Sequence, residues 1–332
     1  MKIGLVSTLC TSVPPTRSGS VELIVSLLAS ELCRRGHDVT VFAAGDSTPA
    51  GRLVSVVERG YHDDDTIWDW ELAEFMQLGA VYERAEEFDV ISSHVYLYAL
   101  PFSRLVATPT VHTFHIAPTP DFVRYCRLYP EADVVLVSEF QRTLFAGLPV
   151  TAVVPNGIDT NAFTFFDRPG DYVAYIGAFT PGKGPLVAID AARRAGVPIK
   201  LAGPDSVYFR EAIVPELGRD VEYVGEVDHA GKVELLGNAH ATVFAPQWPE
   251  ACPLVVLESM ACGTPVVASG NGPIPEIVAA PAGGLCVDDG ELVPALEHVA
   301  RLDRAAVRAH AVEHFDVSRM AGDYLRVFAT AA

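Results

Sequence analysis

Glu250 and Glu258 stand with seven residues between them in the segment P-E-A-C-P-L-V-V-L-E-S-M-A-C-G-T-P-V-V-A. Pro253 suits the first position of a helix, where its missing N–H would have no partner anyway, and Gly263 followed by Pro265 is a helix stop. A short helix over about 254–262 is therefore expected. Glu258 then lies roughly 7 Å along the axis from Pro253, and Glu250 sits in the loop before the helix. Two carboxylates thus bracket a helix N-terminus, whose N–H groups and dipole attract an anion. A pyrophosphate fits there with one acid on either side, which is the layout of a sugar nucleotide: hexose, diphosphate, ribose. Paired glutamates at this spacing also occur on ordinary solvated helix faces, but the flanks favour chemistry. Strand-like A-T-V-F-A-P-Q precedes the pair and P-V-V-A-S-G-N-G follows it. The motif then falls at the C-terminal edge of a parallel sheet, where α/β proteins bind ligands.

Other residue types point to the same chemistry. Lys183 precedes a helix that opens at Pro185 and follows the strand-like Tyr172 to Gly177. An ammonium there can neutralise a phosphate as the leaving group gathers charge. Gly19, between the first strand and the first helix, lets backbone N–H groups approach a phosphate closely. His115 ends the strand-like P-T-V-H-T-F-H, and His112 is read as lying before it on the same strand face. The acidic run Asp63, Asp64 and Asp65 reads as a solvated helix start. No D-x-D stands beside a Gly-rich sheet edge, so no metal site is expected. The six cysteines, Cys10, Cys33, Cys126, Cys252, Cys262 and Cys286, have neither C-x-x-C nor metal-ligand spacing and read as reduced core residues.

Elements of alternating type must position these groups. Strands and amphipathic helices alternate along the chain, the pattern of parallel sheets covered on both faces. Strands are expected at 3–8, 39–43, near Val90, Val111, Val135 and Val153, then at 172–177 and 198–202. Helices are expected at 21–35, within the acidic 63–87 region, at 185–195 and from about 317 to the end. With 332 residues the chain has room for two domains of ordinary size. They are expected at 1–165 and 166–315, joined in the turn-rich stretch between Asn156 and Gly170, with a final helix over 316–332.

Lysine and arginine number 24 against 42 aspartate and glutamate, a formal charge of -18. No basic stripe is available to neutralise nucleic-acid phosphates, and none to hold an anionic membrane surface. The opening I-G-L-V-S-T-L is too short for a signal sequence and no stretch has the length of a membrane span, so a cytoplasmic protein without stable membrane association is expected.

The Glu250 segment resembles the E-x7-E signature of the retaining glycosyltransferases of family 4. R-S-G-S-V-E at Arg17 to Glu22, R-R-G-H-D-V-T-V-F-A, V-P-N-G-I-D, P-G-K-G-P-L-V-A-I and G-P-I-P-E-I-V follow in the family's order. The resemblance runs nearly the whole chain. It implies an α/β protein of the GT-B fold, two doubly wound Rossmann-like domains facing across a cleft, with the last helix crossing back to the first domain.

It also implies roles. Glu250 would bind a hexose hydroxyl and stabilise positive charge on the ring, Glu258 would hold the ribose hydroxyls, and Lys183 would bind the β-phosphate. Cys252, Leu254 and Val255 would offer backbone N–H groups, while Gly203 and Val227 would receive the base. His115 would reach the donor hexose, with His112 in reserve, and Ser138 and Gln141 would lie near the acceptor. Three departures stand out: Ala178 occupies the family's phosphate-binding arginine position, Pro253 replaces a glycine, and Ser18 and Ser20 replace a tyrosine and a glycine. Arg17 and Arg142 are the candidates to supply the missing cation. The implied activity is metal-independent transfer of a hexosyl group from a UDP- or GDP-sugar to a hydroxyl of a small or soluble acceptor. A catalytically weak, donor-binding partner subunit is the alternative suggested by Ala178, and a nucleotide-sugar 2-epimerase of the same fold is a third.

Overall fold

The structure is a computed structural model and describes residues 1–280, 282–299 and 301–331, with the side chains of Cys286 and Asp289 outside that description. Two compact units emerge: Met1–Gly157 together with the chain from Val317 on, and Ile158–Asp316. The division falls between Gly157 and Ile158, earlier than the 165/166 boundary read from the sequence, because Ile158 already pairs in parallel with Asp316 of the second unit.

Unit 1 runs β1 (Lys2–Val6), α1 (Ser20–Arg34), β2 (Asp38–Phe42), β3 (Arg52–Val54), α2 (Trp70–Tyr82), β4 (Val90–Ser93), α3 (Leu100–Ser103), β5 (Thr110–Phe114), α4 (Pro120–Cys126), β6 (Asp133–Leu136), α5 (Glu139–Leu144) and β7 (Ala152–Val153). Its sheet is ordered β3-β2-β1-β4-β5-β6-β7, and each adjacent pair is parallel. Unit 2 runs β8 (Val173–Ile176), α6 (Pro185–Ala195), β9 (Ile199–Ala202), β10 (Val221–Gly225), α7 (His229–Gly237), β11 (Ala241–Phe244), α8 (Leu254–Ala261), β12 (Val266–Ser269), α9 (Ile274–Val278), β13 (Gly284–Val287), α10 (Leu292–Val299) and α11 (Arg304–Phe315). Its sheet is ordered β10-β9-β8-β11-β12-β13, also parallel throughout. The chain ends in α12 (Val317–Ala331).

Both sheets are doubly wound because their central strands are apolar on both faces. Val266, Val267, Ala268 and Ser269 of β12 are all buried, and such a strand needs a helical layer above and below. In unit 2 one layer gathers Leu257, Met260 and Phe315 over Ala174 and Val266. The other packs Ala188, Ile189 and Leu296 over Val173 and Val267. Each unit has a switch point where the strand order reverses, between β1 and β4 and between β8 and β11, and loops after such strands diverge to leave a crevice.

α12 belongs to unit 1. It buries Met320, Ala321, Tyr324, Val327 and Phe328, the stripe expected of an amphipathic helix. The Tyr324 hydroxyl donates to Thr113 Oγ1 at 3.1 Å and Arg319 donates to the Pro155 carbonyl at 2.6 Å. Two elements differ from the sequence reading. The 63–87 region is α-helical over Trp70–Tyr82, with a 3-10 turn over Ala85–Glu87, and its start is not helical because the carboxylate of Asp64 draws the backbone N–H of Thr66 into a turn. The short edge strand Arg52–Val54 carries too few residues for a period to be read.

α2 anchors the loop that leaves β1. Glu74 Oε1 accepts from the Leu9 N–H at 2.8 Å, and Gln77 Nε2 donates to the Ser7 carbonyl at 2.6 Å. Glu74 is almost wholly buried and its Oε2 has no partner. Burial, opposed by the Leu9 bond and reinforced by the nearby Glu22 charge, pushes its carboxyl up to about 8. The folded state therefore holds a proton that the unfolded chain releases above its ordinary value of 4.5. The stability this contributes is complete below that value and is lost as pH rises through about 8. Glu74→Gln keeps an acceptor for Leu9 but cannot ionise. It is expected to flatten the loss of stability between pH 5 and pH 9 that the wild type shows in urea unfolding; parallel curves for the two proteins would count against this.

Candidate functional site

Three loops meet at the C-terminal edge of the unit 2 sheet, beside the β8/β11 switch point. The first, Gly177 to Gly184, leaves β8 and closes in a 3-10 turn over Pro181–Lys183. The second, Ala245 to Pro253, leaves β11 and ends as the N-cap of α8. The third, Gly270 to Pro273, joins β12 to α9. The first two are zipped together: the Gln247 N–H donates to the Gly182 carbonyl at 2.8 Å. Gly184, with φ at +66°, lies so close to the Ala245 carbonyl that a Cβ would overlap it. Both demands select glycine. The third loop is tied in by the Asn271 side chain, which donates to the Pro246 carbonyl at 2.8 Å.

This zipper brings Lys183 and Glu250 together. Lys183 Nζ stands 2.6 Å from Glu250 Oε1, with both side chains only partly screened from solvent. The helix starts at Leu254, as the expected span has it; Pro253 has extended backbone (φ -76°, ψ 111°) and serves as N-cap, with no side-chain cap hydrogen bond. Leu254 and Val255 form the first turn, and they and Cys252 pack against the core on their apolar sides. The first N–H groups of a helix have no partners within it, so this end of α8 carries donors beside an ammonium and a carboxylate.

Glu258, by contrast, is no solvated helix acid. It is buried, and its Oε1 lies 2.7 Å from Nζ of Lys232 on α7. Lys232 is the cation that sequence reading missed. Its signal was available in the apolar spacing of V-D-H-A-G-K-V-E-L-L, which leaves Lys232 on the half-buried side of a helix, but only the packing of α7 on α8 shows which acid it meets. Of the compensating arginines considered for Ala178, Arg17 is exposed and Arg142 pairs with Glu139 at 3.3 Å.

Of the two residues expected to receive a base, Gly203 spends backbone groups on its neighbours. The Gly203 N–H donates to the Gly225 carbonyl at 3.1 Å, and its carbonyl accepts the Tyr223 hydroxyl at 2.9 Å. A Cβ at Gly203 would strike the Gly177 carbonyl, so its small size serves the approach of two strand ends. Val227 is half-buried on the unit 2 core and borders a surface hollow of about 340 Å³ with Tyr172, Lys200 and Glu234.

In unit 1 the expected residues gather at the corresponding sheet edge. His115 follows β5, half-buried, with its Nε2 2.8 Å from Nδ1 of His94 and the two rings stacked at 5.1 Å. His94 in turn meets Ser92 Oγ at 3.2 Å. Burial lowers the His115 imidazole to about 4 and that of His94 well below its usual range, the latter reinforced by His115. Both rings are neutral near pH 7. His112 does not share this setting. It is sealed inside the sheet, neither ring nitrogen has a partner, and burial lowers it to about 3. The two do not share a face as the sequence reading had it, because an odd spacing of three along a strand puts them on opposite sides of the sheet.

Ser138 caps α5, accepting from the Gln141 N–H at 3.1 Å. Gln141 accepts from Val137 N–H at 2.8 Å and donates to the Phe114 and Ile116 carbonyls at 2.9 and 2.7 Å. It therefore braces the backbone on both sides of His115. Gly19 is the N-cap of α1, where a Cβ would press on Pro15 and Thr11 at 2.8 Å. Glu22 is buried and accepts the Thr8 hydroxyl at 2.6 Å, a structural role for this match to the family motif.

Family profiles match the chain in succession. That described as Glycosyltransferase Family 4 covers residues 21–162, and that described as Glycosyl transferases group 1 covers residues 161–304. The chain belongs to the glycosyltransferases of family 4, an enzyme class of GT-B fold. Among its relatives, the phosphatidyl-myo-inositol mannosyltransferase of Mycobacterium leprae is 27% identical, over 100% of this chain and 97% of that protein. The D-inositol 3-phosphate glycosyltransferase of Mycolicibacterium smegmatis is 28% identical, over 90% and 82% respectively. Among solved structures, Anabaena Alr3699/HepE in complex with UDP and glucose shares the fold with a TM-score of 0.76 at 19% identity, over 99% of this chain and 100% of that one. No helix among the described residues is long and apolar enough to cross a membrane.

Removing Lys232 would strand a buried carboxylate, whereas removing both charges would not. Lys232→Ala is expected to cost roughly 2 kcal/mol of stability, while Lys232→Ala combined with Glu258→Gln costs less than the sum of the two single changes. Urea unfolding of the four proteins checks this, and strict additivity would show that the pair does not couple.

Proposed function

We propose that this glycosyltransferase moves a hexosyl group from a UDP- or GDP-sugar to a hydroxyl of a small or soluble acceptor, with retention at the anomeric carbon and without a metal ion. The observation that carries the reading is the Lys183–Glu250 pair, 2.6 Å apart beside the amino end of α8. It sets a cation and an acid where a diphosphate would meet helix N–H groups.

On donor binding Lys183 exchanges Glu250 for the β-phosphate, and the N–H groups of Cys252, Leu254 and Val255 share that charge. Glu250, released, accepts from a hexose hydroxyl and stabilises the oxocarbenium-like transition state. Glu258, with one oxygen held by Lys232, turns the other to the ribose hydroxyls. The bond from the anomeric carbon to the phosphate oxygen breaks. The acceptor oxygen bonds to that carbon on the same face, and its proton passes to the departing phosphate. Neutral His115 serves as a hydrogen-bond partner for substrate on unit 1, with Gly19 keeping the loop of that unit close-packed. A single resident ammonium where the family has an arginine as well argues for slower leaving-group departure. The inositol named in both mycobacterial relatives makes a polyol of that type the first acceptor to assay, and a cytoplasmic setting supplies both substrates.

Glu250→Ala is expected to lower the turnover of hexosyl transfer by roughly 10²–10³. UDP binding should stay as tight or become tighter, because Lys183 loses its competing partner. Steady-state rates and calorimetric titration with UDP check the two halves, with a panel of UDP- and GDP-sugars to choose the donor. Proton NMR of the product reads anomeric configuration, and turnover unaffected by EDTA is the expected result for the metal. Full activity in Glu250→Ala would remove the central assignment, and tight donor binding without turnover by the wild type would favour a donor-binding subunit.

A further inference from the structure

Trp248 is the large exposed side chain of the loop that carries Glu250, with more than half of its surface open to solvent (56%). An indole offers a broad apolar face with a polar N–H, the kind of side chain enriched where one face binds and another stays wet. Its benzo ring rests on the Cα of Gly182: a Cβ there would overlap the ring. Gly182 adjoins Lys183, the cation paired with Glu250, and its carbonyl is the one that accepts the Gln247 N–H at 2.8 Å. The indole is therefore wedged against the lysine loop on one side, held by the backbone zipper, and open on the other, two residues from the acid.

We propose that Trp248 is a specificity-determining residue of the donor site, a platform on which the apolar face of the donor's hexosyl ring stacks beside Glu250. The chemistry is that of sugar recognition. The ring C–H bonds of a pyranose carry partial positive charge and meet the negative face of the indole, while hydroxyls at the ring edge reach the carboxylate of Glu250. The platform explains why residue 182 is a glycine, since any side chain there would lift the indole. It also acts on the sugar and not on the nucleotide, which sets it apart from Lys183 and the α8 terminus. This inference rests on the donor-site reading above, and the test separates the two.

Calorimetric titrations with UDP and UDP-glucose, or with GDP and GDP-mannose where wild type binds GDP instead and with the same outcomes read on that pair, on wild type, Trp248→Ala, Trp248→Phe and Gly182→Ala, decide it. The expected result for Trp248→Ala is about tenfold weaker UDP-glucose binding with UDP binding unchanged, and most of the loss restored in Trp248→Phe. Gly182→Ala, which leaves the indole present but displaced, should reproduce the selective loss even if Trp248→Ala folds poorly. Equal weakening of UDP and UDP-glucose makes Trp248 a loop support and overturns the platform, as does no change in either, or a change confined to acceptor KM. Failure of the donor site itself reads differently: wild type then binds neither UDP nor GDP and Glu250→Ala transfers normally, which overturns the platform along with it.

Discussion

The close approach of two backbone loops in unit 2 is the constraint on which the rest of the site depends. Gly182 and Gly184 flank Lys183, and each faces a group with no room for a side chain: the Trp248 ring and the Ala245 carbonyl. With a hydrogen bond from Gln247 N–H to Gly182 added, the loops after two adjacent central strands become one surface. An ammonium and a carboxylate carried by different loops then meet at 2.6 Å. Wider spacing would leave each charge solvated separately, and neither would be poised for a diphosphate. Hydrogen-bonded backbone, rather than long flexible side chains, sets the geometry, so little ordering remains to be done when a ligand arrives.

The resting site satisfies its own charges. Glu250 holds Lys183 and Glu258 holds Lys232, so neither of these acids stands unpaired in partly dry surroundings, where it would cost several kcal/mol. In the reaction proposed above, a donor's two negative phosphates would replace the first carboxylate at Lys183 and set it free for another partner. Two of the four lysines of this strongly acidic chain, Lys183 and Lys232, are spent on these two carboxylates. Unit 1 uses the opposite device: buried imidazoles kept neutral, with Gln141 and Ser138 spending their hydrogen bonds on the backbone around His115.

Much of the fold was legible in the chain because its signals are local. Apolar runs such as V-V-A-S read as doubly covered strands, and glycine or proline marks their ends, so the alternation of strand and helix and the existence of two doubly wound units follow from pattern alone. Elements of three or four residues, such as Arg52–Val54, are too short to show a period. The place of Glu250, Lys183 and the α8 terminus at one sheet edge was equally readable, since each follows a central strand. Burial of single residues was not. His112 and His115 share a motif, yet one is sealed within the sheet and the other stands at its edge. Gly203 matches a base-binding position but spends both backbone groups on its neighbours.

By itself the sequence determined the chemistry on offer and its order along the chain: paired acids around a helix start, one lysine and glycines after parallel strands, an acidic surface, and the family to which these belong. Tertiary structure alone decided which charge meets which. That Glu258 is buried against Lys232, that Lys183 rests on Glu250, and that Trp248 lies on Gly182 are contacts between residues 26 to 67 positions apart. The physical reason is that strand and helix patterns report only which face of an element is apolar. Pairing across elements depends on how helices and loops from non-adjacent strands pack at one sheet edge, and that packing is a property of the folded chain.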